Sequence, residues 1–291
     1  MKLNKLNKFI GLIRLIRPIN GLMMGVAVIV GASLALAEPF SSEVALDLFL
    51  GFLTAFSLTS ASMAINDYYD YEIDKINEPD RPLPSGIIKR RESIVFSCIL
   101  VLTGLVSSVL TNKFSFAPFA VAIISLLLSV IYATIGKKTG LLGNFLVSAC
   151  VATPFVYGSF VVGKGLTSKI ALFAALAFLS NTGREVTKGI VDAKGDKMKG
   201  VRTVMVIHGD KVASVVSSCF FLSATLLSLL PWHLKLVSVW YLPFVAIADT
   251  GFVISSIMLL HNPSRKKAKQ IKNLILIWML LGMISFFLGS I

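Results

Sequence analysis

The chain has 291 residues, of which 55% are hydrophobic and only 15% are charged. A soluble domain usually carries about 25% charged residues, so the composition excludes an ordinary soluble domain. The net charge of +13 would suggest nucleic-acid binding in a soluble protein. In a membrane protein, however, lysine and arginine collect on the cytosolic side, so we expect no nucleic-acid partner. The three cysteines and three histidines are scattered, which disfavours a zinc site or a disulfide framework.

Runs of about 20 apolar residues recur along the chain, and each is long enough to cross the ~30 Å hydrocarbon core of a bilayer. We therefore predict an all-α integral membrane protein, with nine transmembrane helices in a single domain over residues 1–291. The predicted spans are 19–37, 44–66, 93–111, 115–135, 142–160, 169–190, 212–230, 236–260 and 272–291.

The distribution of basic residues predicts the orientation of these spans. With a cytosolic amino terminus, all but four of the 28 basic residues fall on the cytosolic side, the exceptions being Lys113, Lys164, Lys169 and Lys235. This asymmetry supports nine spans. Long polar loops carry function more often than short turns, and in this orientation the long loops, after spans two and six, are on the cytosolic side. The prediction is a multi-pass protein of the cell membrane with its active site facing the cytosol.

An acidic motif, residues 66–74, follows the second span. If the helix continues into the cytosol, Asp67, Asp70 and Asp74 stand at i, i+3 and i+7 on one face. Carboxylates so close repel unless a cation lies among them, and hard oxygen ligands with room for phosphate suit Mg²⁺. The alternative is a solvated helix end whose acids pair with Lys75 and Arg81.

A second acidic motif lies between residues 184 and 196, near the end of the sixth span. Glu185, Lys188, Asp192 and Asp196 share one helix face there, although this spacing alone is a weak signal. Two carboxylate clusters on the same side of a membrane can together hold Mg²⁺ ions that bridge a diphosphate. The two motifs therefore predict one pocket with Mg²⁺ as its cofactor.

Basic and polar residues accompany both motifs, and such groups stabilise the charge that develops on a leaving phosphate. The candidates are Arg81 in a proline-stiffened loop, then Tyr132, Lys137, Lys138 and Asn144 around the end of the fourth span, and Arg184, Lys188 and Lys194 in the second motif. For each basic residue singly, the alternative is the general enrichment of positive charge on the cytosolic side.

At these residues the chain resembles the UbiA family of membrane prenyltransferases. The resemblance covers nearly the whole chain and rests on the first motif, on the segment from Arg81 to Gly86, and on Asp192 with Asp196. It implies a helical bundle around a central cavity, capped on the cytosolic side by the loops after spans two and six. It also implies that Asp67, Asp70, Asp74, Asp192 and Asp196 bind Mg²⁺ and diphosphate, with Asn66 supporting them and Lys137 as the phosphate-binding lysine.

Within the family, the chain is most similar to members that transfer geranylgeranyl from its diphosphate to the hydroxyl of geranylgeranylglyceryl phosphate, which forms the second ether bond of archaeal lipids. The implied partners are a prenyl diphosphate, a lipidic acceptor and membrane lipids, and the oligomeric state stays open. One alternative is an aromatic or chlorin acceptor. Another is a transporter, for which polar residues at mid-membrane depth are the usual mark. Asp249 is the one acid deep in a predicted span, in either a helix-packing or a cavity role.

Overall fold

The computed structural model describes residues 2–36, 40–112, 115–198 and 200–290. Those residues form eleven α-helices and two short 3₁₀ turns, Ser42–Val44 and Gly136–Lys138. The helices are α1 (Lys2–Ile16), α2 (Pro18–Leu36), α3 (Ala45–Tyr69), α4 (Tyr71–Asn77), α5 (Arg90–Leu110), α6 (Phe116–Thr134), α7 (Leu141–Val161), α8 (Ser168–Met198), α9 (Val204–His233), α10 (Tyr241–His261) and α11 (Arg265–Gly289).

Eight helices in the described ranges are long and apolar enough to cross a membrane, namely α2, α3, α5, α6, α7, α9, α10 and α11. They coincide with eight of the nine predicted spans, so the prediction of an all-helical, multi-pass protein is confirmed. The sixth predicted span lies in α8, which continues to Met198 and carries charged residues in its second half. Lys113, one of the four basic residues predicted outside the cytosol, lies outside the described residues, as do the last residues of the first and ninth predicted spans.

The sequence analysis missed α1, which ends just before the first span. Arg17 separates α1 from α2 and has a φ of 47°, a conformation that non-glycine residues rarely adopt. Pro18 then begins α2, where its fixed φ and missing N–H suit the first helical position and disfavour helix at the residue before it. The inner side of α1 buries Leu15 together with Leu83 and Ile88 of the loop after α4.

Small residues allow α2 and α7 to approach closely. A Cβ atom added at Gly31 would lie 2.2 Å from the carbonyl oxygen of Phe155, and one at Gly158 would lie 2.1 Å from that of Val28. Membrane helices gain stability from such close packing because lipid tails are as apolar as the helices themselves. Beside this contact, the Phe173 ring meets that of Phe286 at 4.6 Å between centroids, which joins α8 to α11.

Candidate active site

The first acidic motif lies across the junction of α3 and α4. Asp70 separates the two helices, yet its backbone N–H donates to Asn66 at 2.9 Å, and the N–H of Asp74 donates to Asp70 at 2.8 Å. Because this i to i+4 hydrogen bonding passes through the junction, the helical register is kept. The i, i+3, i+7 placement of Asp67, Asp70 and Asp74 predicted from the sequence is therefore observed.

Two arginines from distant segments converge on the buried carboxylates of this motif. Asp67 is only 2% exposed, and its Oδ1 lies 2.5 Å from Nη2 of Arg17 and 3.5 Å from Nη1 of Arg81. The same Arg81 nitrogen lies 2.6 Å from Oδ2 of Asp74, which is also buried. Asp67 and Asp74 are therefore buried and not solvated as the alternative expected, but its pairing of the acids with Arg81 is observed, and Lys75 pairs with exposed Glu72.

The pKa shifts of Asp74 and Arg81, in the part of this cluster that follows α3, have opposing causes. Burial raises the pKa of the Asp74 carboxyl above its ordinary value, and the Arg81 guanidinium offsets only part of that rise. Burial lowers the pKa of Arg81, but the carboxylates of Asp74 and Asp67 more than compensate, so that its pKa is raised. Arg81 therefore remains a cation beside the two acids.

Of the two lysines that follow α6, Lys137 reaches the first motif. Its Nζ lies 2.5 Å from Oδ1 of Asp70, and Nδ2 of Asn66 donates to Oδ2 of Asp70 at 3.0 Å. Lys138 is exposed in the same 3₁₀ turn. Asn144 is half-buried on α7, where its backbone N–H donates to the carbonyl of Gly140. Lys137 is thus the lysine placed to meet a phosphate at this cluster.

The second motif lies on a single helix, because α8 continues without a break to Met198. Glu185 is buried between two cations, with Arg184 Nη1 2.8 Å from its Oε1 and Lys188 Nζ 3.3 Å from its Oε2. Lys188 also interacts electrostatically with Asp192, which is exposed. Farther along the helix, Asp196 is half-exposed and Lys194 is exposed. The motif therefore has a buried beginning and an end that faces solvent.

A cavity of about 420 Å³ lies between the two motifs. The charged and amide residues that line it are Arg17, Asn20, Asn66, Asn181, Arg184, Glu185 and Lys188. Tyr132 and other tyrosine, serine and threonine residues complete its polar lining, while Met24, Leu58, Val121, Leu126, Val147 and Met279 are among its apolar lining residues. Tyr132 interacts electrostatically with Lys188, Glu185 and Asp70, which places it between the motifs. The cavity thus combines an ionic region with an apolar one, as a lipid with a charged head requires.

Four of the cavity residues were missed as site residues in the sequence analysis. Arg17 counted only toward the orientation signal, and Glu185 only toward the helix face of the second motif. Asn20 and Asn181 lie within apolar runs, where a polar side chain is itself a signal of function. That signal was present in the sequence, whereas the position of Arg17 depends on the turn between α1 and α2.

A smaller and mainly apolar cavity of about 80 Å³ shares Met23, Met24, Val151 and Met279 with the larger one. Asp249 lines it and accepts a hydrogen bond from Ser228 Oγ at 2.6 Å. Asp249 therefore has a packing partner and also faces a cavity, so both roles considered for it apply.

The donor atoms near the first motif fit Mg²⁺. The Oδ1 atom of Asn66 is buried and has no hydrogen-bond partner among the described residues, although its residue lines the larger cavity. The carboxylate of Asp67 lies on the same helix and that of Asp70 directly follows it, so all the donors are hard oxygens of the kind that Mg²⁺ prefers. In the described ranges no three His, Cys, Asp or Glu side chains form a ready metal cluster, because these acids are paired with arginine and lysine instead.

Comparison with known proteins identifies the family of this chain. The model of the UbiA prenyltransferase family matches residues 24–286. The chain is 34% identical to a digeranylgeranylglyceryl phosphate synthase of Methanothermobacter thermautotrophicus, over 96% of this chain and 95% of the relative. It is 35% identical to the protein of that name from Thermococcus sibiricus, over 96% of each chain, and 32% identical to that of Archaeoglobus fulgidus, over 95% and 94%.

Solved structures show the same arrangement of helices. A structure of a digeranylgeranylglyceryl phosphate synthase superposes with a TM-score of 0.78 and 31% identity, covering 97% of this chain and 98% of the other. A UbiA homologue from Archaeoglobus fulgidus, bound to GPP and Mg²⁺, superposes with a TM-score of 0.68 at 14% identity, over 95% of this chain and 99% of the other. The match over almost the entire length establishes that this chain belongs to the UbiA prenyltransferase family.

Proposed function

We propose that the chain transfers the geranylgeranyl group of geranylgeranyl diphosphate to the hydroxyl of geranylgeranylglyceryl phosphate, forming the second ether bond of archaeal membrane lipids. The observation that carries this proposal is the cavity, whose ionic region adjoins both acidic motifs while its remaining wall is apolar. Such a cavity suits two lipids that each carry a phosphate head. Relatives that bear the name of this activity, at 32–35% identity over nearly their full length, support the choice of substrates.

The first motif is the proposed binding site for the diphosphate. Asn66, Asp67, Asp70 and Asp74 would hold Mg²⁺ from α3 and α4, and Asp192 and Asp196 would do so from α8. The unpartnered Asn66 oxygen supports this assignment, and so does the homologue of the same fold that binds GPP and Mg²⁺. Bound Mg²⁺ neutralises charge on a diphosphate as it leaves.

Arg17, Arg81 and Lys137 are the cations that face this diphosphate. Each is paired with a carboxylate of the first motif, so each already lies within one side-chain length of the proposed metal ligands. As the allylic C–O bond breaks, these cations stabilise the negative charge that the leaving group gains. The apolar wall of the cavity encloses the prenyl chain and excludes water, which would otherwise capture the allylic cation.

The phosphate of the acceptor is assigned to the other side of the cavity. Arg184 and Lys188 line it there, and Nε of Arg184 is buried without a hydrogen-bond partner among the described residues. A buried N–H donor without a hydrogen-bond partner costs free energy unless a ligand accepts its hydrogen bond. Tyr132 lies between the two phosphate regions, whereas Lys138, Asn144 and Lys194 are assigned only to the approach from solvent.

The proposed topology has nine spans in one domain over residues 1–291, with α8 as the sixth span. The first part of α8 packs its buried Ile170 and Phe173 into the same core as α2 and α10, which supports a membrane position for that part. A cytosolic amino terminus in the cell membrane then places both motifs on the cytosolic side. The loops after spans two and six would cap the cavity there.

The test is an assay of the detergent-purified protein with radiolabelled geranylgeranyl diphosphate, with Mg²⁺ or with EDTA. The acceptors are geranylgeranylglyceryl phosphate, 4-hydroxybenzoate, a dihydroxynaphthoate and a chlorophyllide. A Mg²⁺-dependent ether formed only with the glyceryl phosphate supports the proposal. Product only with an aromatic or chlorin acceptor replaces the proposed acceptor, and no product from intact protein with any acceptor favours the transporter alternative.

Variants of both motifs test the proposed metal site. Asp67→Asn and Asp192→Asn each remove one negative charge with little change of shape, and we expect each to lower turnover at least a hundredfold. Glu72→Gln is the matched control, because Glu72 belongs to the same motif but is exposed and paired with Lys75. Full activity in either aspartate variant, with normal gel-filtration behaviour, would remove that residue from the site.

A further inference from the structure

Glu185 is the only acid among the described residues that line the larger cavity. It is 9% exposed, and its two carboxylate oxygens are held by Arg184 and Lys188 from the same helix. The acids of the first motif are instead engaged by Arg17, Arg81 and Lys137. Glu185 is therefore a fixed, buried anion that faces the space where two substrates would meet.

The remaining polar groups of the cavity are poorly suited to accept a proton. Arg17, Arg184 and Lys188 are cations, and the side chains of Asn20, Asn66 and Asn181 are neutral amides, which are very weak bases. The other polar groups of the lining are neutral tyrosine, serine and threonine hydroxyls and one cysteine thiol, which are also very weak bases. A carboxylate, by contrast, accepts a proton readily when its partner is a strong acid. The chemistry of the cavity thus points to a single protein group for proton removal.

Ether formation from an alcohol produces one proton that has to leave the reacting oxygen. The C–O bond to the diphosphate breaks and its electron pair departs with the leaving group, while a lone pair of the acceptor hydroxyl forms the new bond to the allylic carbon. The oxygen then carries three bonds and is a far stronger acid than any carboxylic acid. Even a carboxylate stabilised by two cations therefore takes its proton.

We propose that Glu185 is the catalytic base that removes this proton from the acceptor oxygen and later releases it to water at the mouth of the cavity. The inference rests on the proposed function, since it requires a hydroxyl acceptor. Arg184 and Lys188 act with it by fixing both carboxylate oxygens, and they also compensate the charge of the buried anion. The role is distinct from metal binding, which is assigned to other acids.

The test compares Glu185→Gln with the unaltered protein in Mg²⁺, using geranylgeranyl diphosphate labelled with ¹⁸O at the bridging position. Movement of the label to a non-bridging position reports breaking of the C–O bond, whereas ether formation reports capture by the acceptor. We expect ether formation to fall by about 10²-fold, in the range for loss of a general base, while label exchange continues at or above the original rate. Glu185→Asp, which keeps a carboxylate, should recover part of the loss.

The Glu185→Asp variant separates the need for a carboxylate from a purely structural role. If Glu185→Asp recovers none of the ether formation that is lost in Glu185→Gln, the inference is overturned. Ether formation within threefold of the original in Glu185→Gln would also overturn it, leaving the diphosphate as the proton acceptor. A parallel fall of label exchange and ether formation would contradict it too, because Glu185 would then act on ionisation or on structure.

The proposed acceptor and the proposed base fail in different ways. If the unaltered protein forms product with an aromatic hydroxyl but not with geranylgeranylglyceryl phosphate, the acceptor is wrong and Glu185 is tested with the reactive acceptor. If the glyceryl phosphate reacts normally and Glu185→Gln has no effect, the base is wrong and the acceptor stands.

Discussion

Gly158 is the position at which the contact between α2 and α7 is most sensitive to one added carbon. In Gly158→Ala, the new Cβ would lie 2.1 Å from the carbonyl oxygen of Val28 and 2.8 Å from the backbone nitrogen of Ala32, whereas ordinary contact begins near 3.4 Å. Both neighbours are helix backbone, so no side chain can turn aside. The two helices must separate by about 1 Å.

The cost of that separation follows from what packs along the two helices. A gap of 0.5–1 Å forfeits roughly a quarter to a half of each dispersion contact, and overpacking of this kind typically costs about 1–3 kcal/mol. Replacing glycine by alanine inside a helix recovers about 0.5–1 kcal/mol. The net cost is then up to about 2.5 kcal/mol. A conversion of roughly 2–4 °C per kcal/mol, known from soluble proteins of 150–250 residues, gives a fall in Tm of up to about 10 °C.

The assay is thermal unfolding in detergent, monitored by intrinsic fluorescence, together with prenyl-transfer activity. Gly282→Ala is the matched control, because Gly282 is inside α11 and a Cβ there has no described atom within 4 Å. Its Tm should stay constant or rise slightly. Because α2 and α7 both line the larger cavity, Gly158→Ala should also raise the KM for at least one substrate. A Tm for Gly158→Ala equal to or above that of Gly282→Ala would refute the reasoning.

Three further substitutions test the site and its surroundings. Lys137→Met should lower turnover in a steady-state assay at least tenfold, because it removes the cation 2.5 Å from Asp70. Lys138 lies in the same turn but is exposed, so the turnover of Lys138→Met should stay within about twofold of the original. Arg81→Gln should lower both activity and stability, because two buried acids lose the cation that they share. After allowance for the partial exposure of Arg81, we expect the free energy of unfolding to fall by roughly 1–3 kcal/mol. An unchanged Tm would contradict this. Ser228→Ala removes a hydrogen bond remote from both motifs and should cost about 1 kcal/mol in thermal unfolding, while the Mg²⁺ dependence of turnover stays unchanged.

The spans that could be predicted from the sequence are those for which hydrophobic length alone decides the structure. Eight apolar runs appear as helices of matching position, because a segment in lipid must satisfy its backbone hydrogen bonds internally. The sixth run was harder to delimit, since α8 carries the second motif on the same continuous helix that begins among apolar residues. A helix that continues without a break from an apolar half into a charged half gives no composition boundary at its true end.

The acidic motifs were predictable for a related reason, because the register of a helix is a local property. The spacing of Asp67, Asp70 and Asp74 was enough to place them on one side, and hydrogen bonds through Asp70 preserve that spacing between α3 and α4. The same argument held for Glu185 and Lys188 on α8, which the structure joins in an ion pair.

What the sequence did not show is that Arg17 meets these acids. Arg17 reaches Asp67 only because the chain turns before Pro18, which brings the end of α1 against α3. That contact joins segments far apart in the chain, and no local pattern encodes it. Arg17 was also hard to recognise as a site residue because basic residues are enriched on the cytosolic side, so an arginine near the amino terminus is expected in any such protein. In a membrane enzyme of this kind, the basic residues that serve the chemistry are therefore identified by the acids they contact, and the orientation signal accounts for the others.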